Sequence, residues 1–138
     1  MQWNDSDYAG FSQTKPWLRL SAAYKRRNVE REKTNSHSHL CLYKRLIALR
    51  QKEPSLMYGS YQPVHADHQA MAYIREAPGE TKFLIVLNLS HRPCYLNIEH
   101  RQIIGTVILS TSQELEGTTV NGTINLSGDE GIIVSLRD

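Results

Sequence analysis

From Tyr58 onward the apolar positions come in short runs divided by turn-forming residues, and the most informative run is Lys82-Phe-Leu-Ile-Val-Leu-Asn-Leu-Ser90. Its consecutive apolar residues Phe83 to Leu87 need cover on both sides, and the length and flanks favour a strand over a short helix. Pro78-Gly79 ahead of it fits a type II turn, because Pro fixes φ at the first central position and Gly supplies φ > 0 at the second. His91-Arg92-Pro93 punctuates the far end. Phe83, Ile85, Leu87 and Leu89 make one wholly apolar row, whereas Lys82, Leu84, Val86 and Asn88 make a row that is apolar only in the middle. That pattern predicts an interior strand of a layered β structure.

Turn signals recur at intervals of about ten residues through the rest of this region, the spacing of an all-β sandwich. Strands are predicted near residues 58–65, 70–76, 82–90, 94–98, 104–110, 123–126 and 131–137. Cys94, Leu96 and Ile98 fall on one face of their strand, as do Ile132, Val134 and Leu136. Asn121-Gly122 is the best tight-turn candidate, since both residue types tolerate φ > 0.

Upstream, the period is helical from Ser36 to Glu53, with Leu42, Tyr43, Leu46, Ile47 and Leu49 at three- and four-residue steps. Asn35 or Ser36 is expected to cap this amphipathic helix, Arg50 and Lys52 suit the negative end of its dipole, and Pro54 ends it near Glu53. Residues 1–33 read as a long structured loop. Trp3, Tyr8, Phe11, Trp17 and Tyr24 argue against disorder there, because such side chains need something to pack on.

Composition narrows the picture only modestly. The 138 residues, 40% of them hydrophobic, suffice for a real core, and 16 basic against 14 acidic residues give a net charge of +2. That balance points to neither a nucleic acid nor a membrane surface as partner, and Lys25-Arg26-Arg27 and Lys44-Arg45 read as solvated faces. Cys41 and Cys94 lie far apart and are expected to be free, buried thiols. With no secretory h-region after Met1 and no run of roughly 20 apolar residues, the expected compartment is the cytoplasm. The sequons at Asn4, Asn88, Asn121 and Asn125 would then carry no sugar.

The candidate chemistry is sparse. Asp5 and Asp7 could form an acid/base pair, but Asn4-Asp-Ser-Asp7 is first a turn sequence whose side chains bond their own backbone. His37 with His39, and His65 with Asp67 and His68, are metal-ligating types without the three or four convergent ligands zinc requires. There is no glycine-rich phosphate loop and no motif around a serine nucleophile, so the residues by themselves leave the function open.

Several blocks nonetheless resemble one family in order and spacing. They are Met1-Gln-Trp-Asn-Asp-Ser-Asp-Tyr-Ala-Gly-Phe-Ser12, Lys15-Pro-Trp-Leu18, Asn28-Val-Glu30, Leu42-Tyr-Lys-Arg-Leu-Ile-Ala-Leu-Arg50 and Tyr58-Gly-Ser60. Together they look like the α-glucosidase and oligo-1,6-glucosidase branch of the α-amylase superfamily. The resemblance implies that residues 1–57 correspond to the loop and helix after the eighth strand of a (β/α)8 barrel. Residues 58–138 would then be the C-terminal antiparallel β-sandwich, domain C, of Greek-key type. It also implies that the family's nucleophile, acid/base and transition-state-stabilising carboxylates belong to barrel strands upstream of this stretch. No catalytic residue, cofactor or metal ligand is therefore expected here. Gln2, Trp3 and Asn4 are implied to form a substrate-proximal loop in the parent enzyme, with Asn4 standing where many members carry aspartate.

The expected role is structural and non-catalytic, with the missing barrel or a second copy of the chain as partner. One alternative is a carbohydrate-binding module for α-glucoside oligosaccharides, stacking sugars on Tyr58, Tyr61, Tyr73 and Tyr95. Another is a protein-interaction domain.

Overall fold

The computed structural model describes residues 1–98 and 103–137. The chain divides into two compact units, Met1–Arg45 and Leu46–Asp138.

The first unit contains more regular structure than the hydrophobic pattern predicts. A 3₁₀ turn covers Asp7–Gly10 and a short helix, α1, covers Val29–Thr34. Helix α1 has a single apolar residue, so no periodicity betrays it, and its start is set by a cap instead. Asn28 Oδ1 accepts from the Arg31 amide at 3.0 Å while Asn28 Nδ2 donates to the Tyr24 carbonyl at 2.9 Å. The next helix, α2, spans His39–Lys52, and the boundary between the two units falls within it. Its cap is Ser38 rather than the expected Asn35 or Ser36. Ser38 Oγ accepts from the Cys41 amide at 3.1 Å and donates to the Glu32 carbonyl at 2.7 Å, which ties the end of α1 to the start of α2. Both cysteines are free but only half-buried.

Helix α2 stops where Pro54 requires, with Glu53 in an extended conformation. Pro54 also starts something, which the sequence reading missed. It occupies the first turn of a third helix, α3, Pro54–Tyr58, where its missing N–H is no loss. The first strand consequently begins at Ser60 rather than Tyr58.

The second unit is built on eight antiparallel strands: β1 Ser60–Ala66, β2 Ala70–Glu76, β3 Phe83–Asn88, β4 Cys94–Asn97, β5 Ile104–Ser110, β6 Thr119–Asn121, β7 Thr123–Leu126 and β8 Gly131–Leu136. They hydrogen-bond in the order β1-β2-β3-β8-β5-β6-β7-β4. Strand β6, three residues long, was not anticipated, because so short a segment shows no alternation. Strand β3 is interior as expected, paired with β2 on one side and β8 on the other.

Both faces of β3 are covered. Leu84 and Val86 join Ala70 and Ala72 of β2, Ile132 and Val134 of β8, Leu96 of β4, Val120 of β6 and Ile124 and Leu126 of β7 in the main core. Strands distant in the sheet order thus share one interior, which makes the sheet a sandwich. On the other face Phe83 and Ile85 pack with Leu56 of α3, flanked by partly buried Leu49, Tyr73, Ile108 and Ile133. Leu89 departs from the expected apolar row. The strand ends at Asn88, and Leu89 lies exposed beyond it.

The predicted turns form. The Glu80 amide donates to the Ala77 carbonyl at 3.1 Å with Gly79 at φ +76°, and Gly122 at φ +70° links β6 to β7. At one end of the sandwich the β3–β4 and β7–β8 loops interlock. Buried Asn88 donates through Nδ2 to the carbonyls of Arg92 and Ser127, both at 2.7 Å, and accepts through Oδ1 from the Ser90 amide and hydroxyl. The Asp129 amide donates to the Ser90 carbonyl at 2.8 Å, and a side chain on Gly128 would overlap the His91 carbonyl.

Candidate functional site

The loop carrying Gln2, Trp3 and Asn4 is held by its own backbone. The amides of Trp3 and Asn4 both reach the Ala9 carbonyl, at 2.8 and 3.4 Å, and the Ala9 amide donates to the Ser6 carbonyl at 2.9 Å. Asn4 Oδ1 accepts from the Ser6 amide at 3.1 Å and from the Ser6 hydroxyl at 2.6 Å. The first amides of α1 complete the anchorage, with Val29 donating to the Gln2 carbonyl at 3.0 Å and Glu30 to the Trp3 carbonyl at 2.9 Å. Those amides have no partner within a helix, so the loop satisfies them.

The returning limb is strained. Tyr8, Ala9 and Gly10 are all left-handed, at φ 56°, 57° and 70°. For Tyr8 and Ala9 this costs on the order of 1–3 kcal/mol each and persists only where surrounding contacts dictate it. Ala9 is fully buried, and a Cβ on Gly10 would overlap the Asn4 side chain. The result is a rigid platform that leaves Trp3 half-exposed and turns Asn4 inward against Ser6 and Gly10.

This platform contains no acid/base pair. Asp5 lies 3.5 Å from Arg31 on the surface, and Asp7 begins the 3₁₀ turn. Of the histidine candidates, His65 forms a local pair, and so does His91, which the sequence reading did not single out. His65 Nε2 sits 3.1 Å from Asp67 Oδ2 in the β1–β2 connection. Asp67 Oδ1 accepts from the Ala70 and Gln69 amides, each at 2.7 Å, and these bonds, assisted by His65, hold its pKa down at about 2. His91 Nδ1 lies 2.8 Å from Asp129 Oδ2, which raises the His91 pKa above its ordinary value. Among the described residues no three His, Cys, Asp or Glu side chains converge on a metal position, and no helix is long and apolar enough to cross a membrane.

The tyrosines divide. Tyr61 and Tyr73 meet each other with ring centroids 5.0 Å apart at 37°, Tyr61 remaining exposed, while Tyr58 and Tyr95 are exposed with no ring contact among the described residues. Tyr58 also borders a feature that sequence reasoning did not find, a cleft of about 380 Å³ lined by Tyr58, Gly59, Ser60, Gln62, Glu76, Ala77 and Pro78. Its cause is the pairing of Ser60 with Glu76, which brings the end of α3, the start of β1 and the Pro78 turn together. Only the turn and the Tyr58-Gly59-Ser60 stretch were legible beforehand.

Comparison with known proteins bears on the whole chain. Residues 1–59 match the family model for the α-amylase catalytic domain. The probable oligo-1,6-glucosidase 3 of Bacillus subtilis (strain 168) is 40% identical over 94 residues, covering 67% of this chain and 17% of that protein. An amino acid transporter heavy chain, SLC3A1, of Rattus norvegicus is 33% identical over 141 residues, covering 97% of this chain and 21% of that protein. Among solved structures, isomaltulose synthase from Klebsiella sp. LX3 superposes with a TM-score of 0.88 at 34% identity, covering 99% of this chain and 24% of that one. The chain therefore spans only about a fifth of the length of such relatives. It belongs to the α-amylase superfamily and matches part of its α-glucosidase and oligo-1,6-glucosidase members.

Proposed function

We propose that the chain is the structural, non-catalytic C-terminal part of an α-glucosidase-like glycoside hydrolase of carbohydrate metabolism. Residues 1–57 finish the barrel and residues 58–138 brace it. The observation that carries this reading is the match of residues 1–59 to the catalytic-domain model, in a stretch where Asp5 and Glu53 make local ion pairs and Asp7 opens a turn. Retaining hydrolysis needs two carboxyl groups about 5 Å apart across the scissile bond, and the resemblance puts those groups on upstream barrel strands. In the assembled enzyme, the platform of Gln2, Trp3 and Asn4 faces the substrate's approach. The free thiols Cys41 and Cys94 support a reducing, cytoplasmic setting.

The partner on this reading is the barrel or, in its absence, a second copy of the chain. Trp17 is 93% exposed, and Trp3, Phe11, Tyr43 and Ile47 are also exposed. At about 25 cal/mol per Å², several hundred Å² of such surface left in water forgoes on the order of 10 kcal/mol.

The purified chain should show no turnover of p-nitrophenyl α-glucoside above a blank. Joined behind the barrel of the Bacillus subtilis relative in place of the matching segment, it should restore activity. Turnover by the isolated chain, or a folded but inactive chimera, would overturn the proposal. The kinship with a transporter heavy chain favours a second reading, in which the same fold serves as an interaction domain. An inactive chimera would point there.

A further inference from the structure

The walls of the cleft beside Tyr58 are fixed by hydrogen bonds. Ser55 is fully buried, and its hydroxyl accepts from the Ala77 amide at 3.0 Å, which braces the Ala77–Pro78 wall. Ser60 Oγ donates to the Glu76 carbonyl at 3.2 Å. At Gly59 the backbone runs so close to the carbonyls of Ser55 and Glu76 that no side chain fits, and Arg75 Nη2 donates to the Gly59 carbonyl at 2.9 Å. A preformed cavity in the range of about 300–1,000 Å³ is the usual size for a small-molecule site.

The lining chemistry is selective. Tyr58, 73% exposed, offers a free aromatic face, and Pro78 a second apolar surface. Gln62 Nε2 donates to Glu76 Oε2 at 3.2 Å, and Lys82 Nζ lies 3.1 Å from Glu76 Oε1. The carboxylate keeps lone pairs for further donors, and the Gln62 amide keeps a second N–H and its carbonyl. Lys82 pairs with Glu76 and the Arg75 guanidinium is taken up by the Gly59 carbonyl, so the cleft presents no bare carboxylate to a cation. A ring, an adjoining apolar wall and a cluster of donors and acceptors suit a neutral polyhydroxylated ring, with its C–H face on the aromatic and its hydroxyls on the amide and carboxylate.

We propose that this cleft is a non-catalytic binding site for a pyranose, specifically a glucosyl unit of an α-glucoside oligosaccharide. The pyranose follows from the lining residues, whereas the α-glucoside rests on the proposed function. A surface site of this kind holds a chain of sugars near the enzyme without reacting with it.

Titration of the whole chain with maltose and isomaltose, followed by amide NMR shifts, tests it. Saturable shifts are expected at Gly59, Ser60, Gln62 and Ala77. Tyr58→Ala should weaken binding about tenfold, the loss of one stacked ring, while Tyr58→Phe keeps it. Tyr58 is exposed, so an unchanged melting temperature for Tyr58→Ala verifies the fold, and Gln62→Ala supplies a second variant expected to weaken binding. No saturable shift, shifts elsewhere, or indifference to both Tyr58→Ala and Gln62→Ala would refute the site. Equal binding of cellobiose would refute the α-glucoside assignment alone. The chimera assay contains no term from Tyr58, so the two proposals fail separately.

Discussion

Replacing Ile85 with alanine removes three carbons from the smaller of the two cores, and the structure says how much that should cost relative to the same change on the opposite face of β3. Ile85 packs with Phe83 and Leu56, and its other neighbours, Leu49, Tyr73, Leu87, Ile108 and Ile133, are only partly buried. Leu84, the next residue, is fully buried in the main core among side chains of seven other strands. Large-to-alanine changes in cores cost roughly 2–5 kcal/mol, and the low end applies where neighbours can collapse into the space or water can reach it. Ile85→Ala should therefore cost about 2–3 kcal/mol and Leu84→Ala about 4–5 kcal/mol. A domain near this size loses roughly 3–5 °C of melting temperature per kcal/mol, so the expected drops are about 10 °C and about 18 °C. Calorimetric or circular-dichroism melts of the two variants give the answer. An unchanged melting temperature for Ile85→Ala would mean that α3 does not cover this face. A larger loss for Ile85→Ala than for Leu84→Ala would invert the ranking of the two cores.

The remaining expectations concern charge and association. Asp67, held at about 2 by the Ala70 and Gln69 amides, contributes stability above its unfolded pKa that is lost as pH falls from about 4 towards 2. Asp67→Asn should flatten the acid limb of the stability profile in that window, and an unaltered limb would contradict the hydrogen-bond assignment. The raised pKa of His91 has the opposite sense. Its pairing with Asp129 contributes below about 6.5 and is lost as pH rises through the folded value, and Asp129→Asn should bring the NMR-measured pKa of His91 back towards 6.5. Sedimentation equilibrium should find the isolated chain self-associated through residues 1–50, most simply as a two-fold dimer. A 15.8 kDa monomer with slow amide exchange throughout residues 1–33 would defeat that expectation.

The β domain was the most legible part of the sequence, and the reasons are specific. Residues 70–76, 104–110 and 123–126 are strands to the residue, because alternation and flanking turn formers coincide there. Where either signal was missing, the element was missed. Helix α1 has one apolar residue, α3 follows a proline that reads as a stop, and β6 is too short to alternate. The platform of Gln2, Trp3 and Asn4 was visible only through family likeness. Gly10 hinted at a left-handed turn, but nothing in the identities of Tyr8 and Ala9 announces that they share it, since tertiary contacts impose that conformation. The cleft depends on which residue of β1 meets which residue of β2, a matter of register that composition does not encode.

The interlocked loops around Asn88 bear on how the sandwich opens. Strand β4 is four residues long at the margin of the sheet and would ordinarily be the first to fray. Asn88, however, sits at the end of interior strand β3 and grips the carbonyls of Arg92, just before β4, and of Ser127, just after β7. Releasing β4 from its Arg92 end thus requires breaking a buried amide's hydrogen bonds at the end of an interior strand. Local and global unfolding are coupled there, and the amide proton of Asp129, bonded to Ser90 inside the same clasp, should exchange with solvent at nearly the rate of the most protected protons of β3.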